Sequence, residues 1–149
     1  MKFLGIDYGT KRIGIAISDE NHQIAFPKEV ILNDKNTLEK ISEILKKEKI
    51  NEVVMGESLN FKGELNIVSE KINTFIFQLE KQFGVKIHRE KEFLTSVEAR
   101  KVGNTKMNLR KGGAHSKIKR EKTRRADAGA AALILQRFLD RLNKNNLSR

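Results

Sequence analysis

Asp7 stands in the run KFLGIDYGTKRIGIAIS, residues 2–18, where every near neighbour except Tyr8 is apolar or glycine. A carboxylate in such a run is costly unless something compensates it. A second acid, Asp127, opens the small-residue run ADAGAAA. It shares a stripe with Ala131, Ile134, Phe138 and Leu142, spaced as one helix face and apolar everywhere else. A third acid is found in the stretch HREKEF, where Glu90 and Glu92 are alternatives on one strand face. Carboxylates gathered from three elements repel one another unless a cation sits among them. Mg²⁺ takes oxygen ligands, with one or two carboxylates per ion and substrate phosphate beside them. Two such ions can align an attacking water and a leaving oxygen for phosphodiester cleavage. Asp127 alone would also serve as a helix-start carboxylate paired with Arg124 or Arg125.

The elements that must position these acids follow from periodicity. Lys2–Tyr8 is expected as a strand, Gly9-Thr10-Lys11 as a tight turn and Arg12–Ser18 as a second strand. Ile13, Ile15 and Ile17 alternate with Arg12, Gly14, Ala16 and Ser18, which separates an isoleucine face from a small-residue face. Ile24–Leu32 is expected as a third strand, bent or at the sheet edge because of Pro27. An amphipathic helix over Asn36–Glu48, a short strand Glu52–Met55, a loop Glu57–Gly63 and a long helix Glu64–Phe83 come next. A fifth strand, Val85–Glu90, precedes a capping-box helix from Thr95 or Ser96 to about Val102. Met107–Glu121 is expected as a mobile loop and Thr123–Asn143 as the last helix. Three strands in a meander, then alternating strands and helices, give an α/β mixed five-stranded sheet flanked by helices. That element order is the order of the ribonuclease H-like fold, expected here as a single domain over residues 1–149 with a mobile basic loop at about 106–122.

The 149 residues carry a formal charge of +11. Residues 100–125 hold eleven Lys or Arg (Arg100, Lys101, Lys106, Arg110, Lys111, Lys117, Lys119, Arg120, Lys122, Arg124 and Arg125) against one acid, Glu121. A basic segment in a near-neutral body is the footprint of a nucleic-acid binder. From Lys106 onward these side chains, with Lys11 and Arg12 beside the first strand, are the expected phosphate contacts. One Tyr and no Trp argue against base stacking and for recognition of backbone and shape. The absence of cysteine excludes disulfides, thiolate metal sites and a cysteine nucleophile, and fits a cytoplasmic location. No apolar run suggests a membrane span.

FLGIDYGTKRIGIAISD, VVMGESLNFKGE, EFLTSVEA and ADAGAAALILQRFLD resemble the four sequence blocks of the YqgF/RuvX family, nearly end to end. The resemblance implies a ribonuclease H-like nuclease that processes the 5′ end of pre-16S rRNA, or a Holliday junction resolvase acting on branched DNA. It implies Asp7, Glu92 and Asp127 as catalytic acids and metal ligands, which favours Glu92 over Glu90, and Mg²⁺ or Mn²⁺ as the cofactor. The implied partners are structured RNA or branched DNA, with the ribosome or its precursors, for a monomer or homodimer. Phe93 stands where the family pattern has Arg, and Gly56-Glu57-Ser58 where it has Gly-Leu-Pro. Two other readings fit parts of the chain. GIDYGT is similar to the first phosphate loop of the actin-like and sugar-kinase superfamily, whose architecture needs two domains. A non-catalytic RNA-binding protein would keep the basic segment without turnover.

Overall fold

The computed structural model describes residues 1–58, 67–92 and 115–147, of which 57, 58, 67, 68, 92 and 115–125 are described by backbone alone. Five strands, β1 (Phe3–Tyr8), β2 (Arg12–Ser18), β3 (Ala25–Leu32), β4 (Glu52–Ser58) and β5 (Lys86–Glu92), form one sheet in the order β3-β2-β1-β4-β5. β1, β2 and β3 pair antiparallel, and β4 and β5 join in parallel. The helices α1 (Thr37–Glu48), α2 (Ile67–Phe83) and α3 (His115–Leu147) cover its faces. This is the mixed, five-stranded α/β sheet that the element order implies.

Strand alternation divides the interior into two cores. On one face Leu4, Ile6, Ile13, Ile15, Val53 and Met55 pack against Ile41, Ile44 and Leu45 of α1 and Ile72, Phe75, Ile76 and Leu79 of α2. On the other, Phe3, Ala16 and Val54 pack against Ala131, Ile134, Leu135, Phe138 and Leu139 of α3. Small residues let α3 come close. A Cβ on Gly5 would lie 2.8 Å from Leu135 Cβ and 3.0 Å from the Ala131 carbonyl oxygen. Of the described helices, α3 therefore has its backbone nearest β1 and β2, and Asp127 rides on it.

Pro27 fits twice over. β3 is an edge strand, where a missing N–H is tolerated. Its register with β2 shifts between Ile15, opposite Glu29, and Ala16, opposite Pro27, so Lys28 is the extra residue of a bulge. The Lys28 ammonium donates to Glu48 at the end of α1 over 2.8 Å, and Lys2 donates to the same carboxylate over 2.9 Å.

Among the described residues, four boundaries differ from expectation by more than one residue. β4 runs on to Ser58 and β5 to Glu92, because each supplies the other's backbone partners: Gly56 opposite Glu90 and Ser58 opposite Glu92. The first part of the expected loop Glu57–Gly63 is thus strand, and Glu92 is the last residue of β5 rather than a residue beyond it. The basic loop expected at about 106–122 is helical from His115 on, and α3 extends to Leu147 instead of ending at Asn143. No Gly or Pro stands between Gly113 and Gly129, and Lys, Arg and Glu are good helix formers, so the segment continues the helix it was expected to precede. Residues 106–114 and the expected helix from Thr95 lie outside the described residues, as do the first residues expected in α2. Among the described residues, no helix is long and apolar enough to cross a membrane.

Candidate functional site

Asp7 is the penultimate residue of β1 and is half-buried. It lies opposite Gly14 in the β1–β2 ladder. Alternation puts Gly5 and Asp7 on the face that α3 covers. There the helix backbone touches the sheet: a Cβ built on Gly14 would lie 2.1 Å from the Asp127 carbonyl oxygen and 2.7 Å from its carbon. A helix residue thus sits directly over the strand residue paired with Asp7. The backbone of Asp127, near the end of the sequence, is thus one glycine away from that of Asp7, near its beginning.

Arg12, the first residue of β2, completes this corner. Its Nε lies 2.9 Å from Asp127 Oδ2, with about a third of each side chain exposed. The sequence suggested Arg12 as a phosphate contact, and its pairing with Asp127 was missed. The available signal was its place two residues before Gly14, on the same strand face. Lys11, in the β1–β2 turn, is exposed.

The two candidate glutamates separate. Ile6 is opposite Met55, so continuing that register by one residue sets Asp7 level with Gly56, which is opposite Glu90. Glu90 is already committed, however. Its Oε2 is buried 2.7 Å from Arg141 Nη2, off the line of a good hydrogen bond, and its Oε1 accepts one from Nη1 at 3.4 Å. The Arg141 guanidinium also stands over the Phe138 ring at 5.8 Å. Glu90 therefore fastens α3 to the edge strand. Glu92 follows two residues later, at the carboxyl end of β5.

Of the other basic candidates, Lys117, Lys119, Arg120, Lys122, Arg124 and Arg125 fall on the first turns of α3, in the same continuous helix as Asp127. Lys106, Arg110 and Lys111 lie outside the described residues.

The donor set at this corner is all oxygen. Asp7 and Asp127 offer two carboxylates at neighbouring positions, which suits a hard divalent ion that takes one or two carboxylates and keeps several waters. Among the described residues no three acidic or histidine side chains are grouped to hold a metal; the Glu92 side chain is not among those described.

Residues 1–141 match the family described as RuvX, Holliday junction resolvase. The chain is 33% identical over 148 residues to the "Putative pre-16S rRNA nuclease" of Sulfurihydrogenibium sp. (strain YO3AOP1), covering 97% of this chain and 94% of that protein. It is 35% identical over 143 residues to the protein of the same name from Mycoplasmopsis synoviae (strain 53), covering 94% and 98%. Among solved structures it is similar to T. thermophilus RuvC in complex with Holliday junction substrate (TM-score 0.54, 17% identity, 95% of this chain and 96% of that one). It is also similar to the Fowlpox virus resolvase in complex with Holliday junction DNA (TM-score 0.56, 16% identity, 95% and 99%). These two likenesses show the fold, which is ribonuclease H-like. By the extent of the sequence matches, the chain belongs to the RuvX Holliday junction resolvase family.

Proposed function

We propose that this protein is a metal-dependent nuclease that hydrolyses phosphodiester bonds in structured nucleic acid, with the 5′ end of pre-16S rRNA as its substrate. Asp7, Glu92 and Asp127 are the catalytic acids and would hold Mg²⁺ or Mn²⁺. The observation that carries this reading is the seat of Asp127 over the Asp7–Gly14 pair. When bound, the divalent ion supplies positive charge to the phosphate at the reacting centre and lowers the pKa of water there. The chain's own residues do the rest. Asp7 and Asp127 present oxygen donors from two rigid elements, a paired strand and a long packed helix. Arg12 holds the Asp127 carboxylate by its Oδ2. The basic turns of α3, with Lys106, Arg110 and Lys111 before them, draw in the phosphate backbone without reading bases. The names of the relatives favour precursor rRNA, and the ribosome precursor is where such a substrate is met.

The test is a side-by-side cleavage assay on a precursor rRNA 5′ segment and a four-way DNA junction, with Mg²⁺, Mn²⁺ or EDTA. Metal-dependent cleavage of the RNA supports the reading. Metal-dependent cleavage of the junction alone replaces RNA with branched DNA as the substrate. Binding without cleavage of either substrate leaves a nucleic-acid-binding protein and overturns the nuclease.

A further inference from the structure

On the sheet face opposite Asp7, a cleft of about 500 Å³ opens between the carboxyl end of β1, the β3–α1 connection and helix α2. We infer that this cleft is a pocket for one unpaired nucleobase of the substrate strand, an assignment that rests on the nuclease reading and adds to it a requirement for a single-stranded nucleotide.

Its wall is aromatic. Tyr8, the only tyrosine of the chain, is half-buried, with its ring 5.1 Å from that of Phe75 and tilted by 49°. Leu38 adds an apolar side. The Tyr8 hydroxyl and the exposed Gln78 amide make no hydrogen bond among the described residues, so a phenol and an amide remain to meet polar base edges. The nearby rim is fixed. The Asn33 amide donates to the Gly9 carbonyl at 2.8 Å, and the Thr37 hydroxyl is spent on Asp34 and Leu32.

Charge decides which part of a nucleotide belongs here. Lys35 and Lys71 line the cleft, and so do Asp34 and Glu70. Among the described lining residues the signs balance, so they offer no excess cation to draw a bare phosphate. An aromatic wall with neutral donors and acceptors suits a base, since every base has a π-face and stacking on an aromatic side chain tolerates any sequence. Its place fits as well. Asp7 and Tyr8 are consecutive in β1 and point to opposite faces, so a strand crossing the carboxyl end of β1 meets the acid on one side and the pocket on the other. A base within a duplex is stacked and paired and cannot enter. The low aromatic content that argued against stacking counts residues, whereas here the one tyrosine directly follows the candidate catalytic acid.

The experiment uses the full chain in EDTA and two RNAs, a hairpin with a single-stranded 5′ overhang carrying 2-aminopurine and the same hairpin with a blunt end. Thr74→Trp fills the cleft from an exposed position on α2, where the threonine hydroxyl donates to the Glu70 carbonyl. Tyr8→Leu removes the aromatic wall. Wild type should quench the 2-aminopurine. Both variants should lose the quenching and bind the overhang RNA about tenfold more weakly, while binding the blunt hairpin unchanged. Overhang binding and quenching in Thr74→Trp equal to wild type overturns the pocket. Free 2-aminopurine ribonucleoside monophosphate binding as tightly as the overhang RNA overturns the assignment to a substrate strand. A wild-type protein that binds neither RNA overturns the precursor-rRNA reading and this inference with it.

Discussion

Arg12 Nε and Asp127 Oδ2 are 2.9 Å apart, so a strand cation is paired with the helix carboxylate. An arginine beside a carboxylate biases its orientation, and partners that orient metal ligands typically matter ten- to a hundredfold. Arg12→Gln should therefore lower nuclease activity about ten- to a hundredfold. Orientation also predicts strong non-additivity, since Arg12 acts through Asp127. The double variant Arg12→Gln/Asp127→Asn should be no more than about threefold worse than Asp127→Asn alone. Multiplying losses would mean that Arg12 works on the substrate directly.

Asp7→Asn keeps the side-chain shape and removes the charge. Activity should fall by about two to four orders of magnitude, with circular dichroism unchanged. Mg²⁺ or Mn²⁺ at neutral pH should raise the melting temperature of wild type more than that of the variant, because the unfolded chain scatters the ligands. The comparison needs matched ionic strength, since divalent salt also screens the basic segment. Equal shifts would show that the cations act by screening.

Gly14→Ala places a methyl group 2.1 Å from the Asp127 carbonyl oxygen, a backbone atom that moves only if α3 moves. The expected loss of stability is about 2–3 kcal/mol, from overpacking at a rigid contact. Urea denaturation measures it. Activity should fall further than the melting temperature explains, because the same displacement carries Asp127 off its seat.

Glu48 accepts hydrogen bonds from Lys28 and Lys2, and these two ammonium groups hold its carboxyl down to about 2 from 4.5. A folded-state pKa below the unfolded one stabilises the protein above pH 4.5, and that contribution is lost as the pH falls from 4.5 toward 2. With solvent screening it amounts to about 2 kcal/mol. Glu48→Gln should be less stable at pH 7 and should lose less stability on acidification than wild type. Parallel stability curves for the two proteins would refute the linkage.

Replacing Lys117, Lys119, Arg120 and Lys122 by Ala should weaken binding to every sequence alike. The slope of log K against log salt should flatten by about 0.7–0.9 for each phosphate that the variant no longer neutralises. A weakening confined to one sequence would indicate base readout by these turns instead.

The two-faced sheet was legible because isoleucines and small residues alternate strictly along β2, and a one-residue slip would have buried the wrong set. The sheet-facing side of α3 that carries Asp127 was legible because the stripe continues through Ala131, Ile134 and Phe138, which are buried against the sheet. What escaped the sequence depends on partners distant in the chain. Backbone pairing is indifferent to side-chain polarity, so β4 and β5 continue through Glu57-Ser58 and Lys91-Glu92 although those residues look like loop. Nothing local distinguishes Glu90 from Glu92. What the fold adds is that Arg141, from the far end of α3, pairs with Glu90. The partner of Arg12 was hidden in the same way.

The bulge at Lys28 has a consequence for how copies of this protein meet in a crowded solution. β3 is an outer edge and exposes Phe26 and Leu32, with Ile24 just before it. A flat edge of that composition would template cross-β stacking of one molecule on the next. Pro27 withholds a donor in mid-strand, and the extra residue throws the following backbone out of step. Lys28 is meanwhile tied back to Glu48 on the molecule's own helix. A second chain laid along this edge finds no continuous ladder, so β3 is a poor template for a further strand.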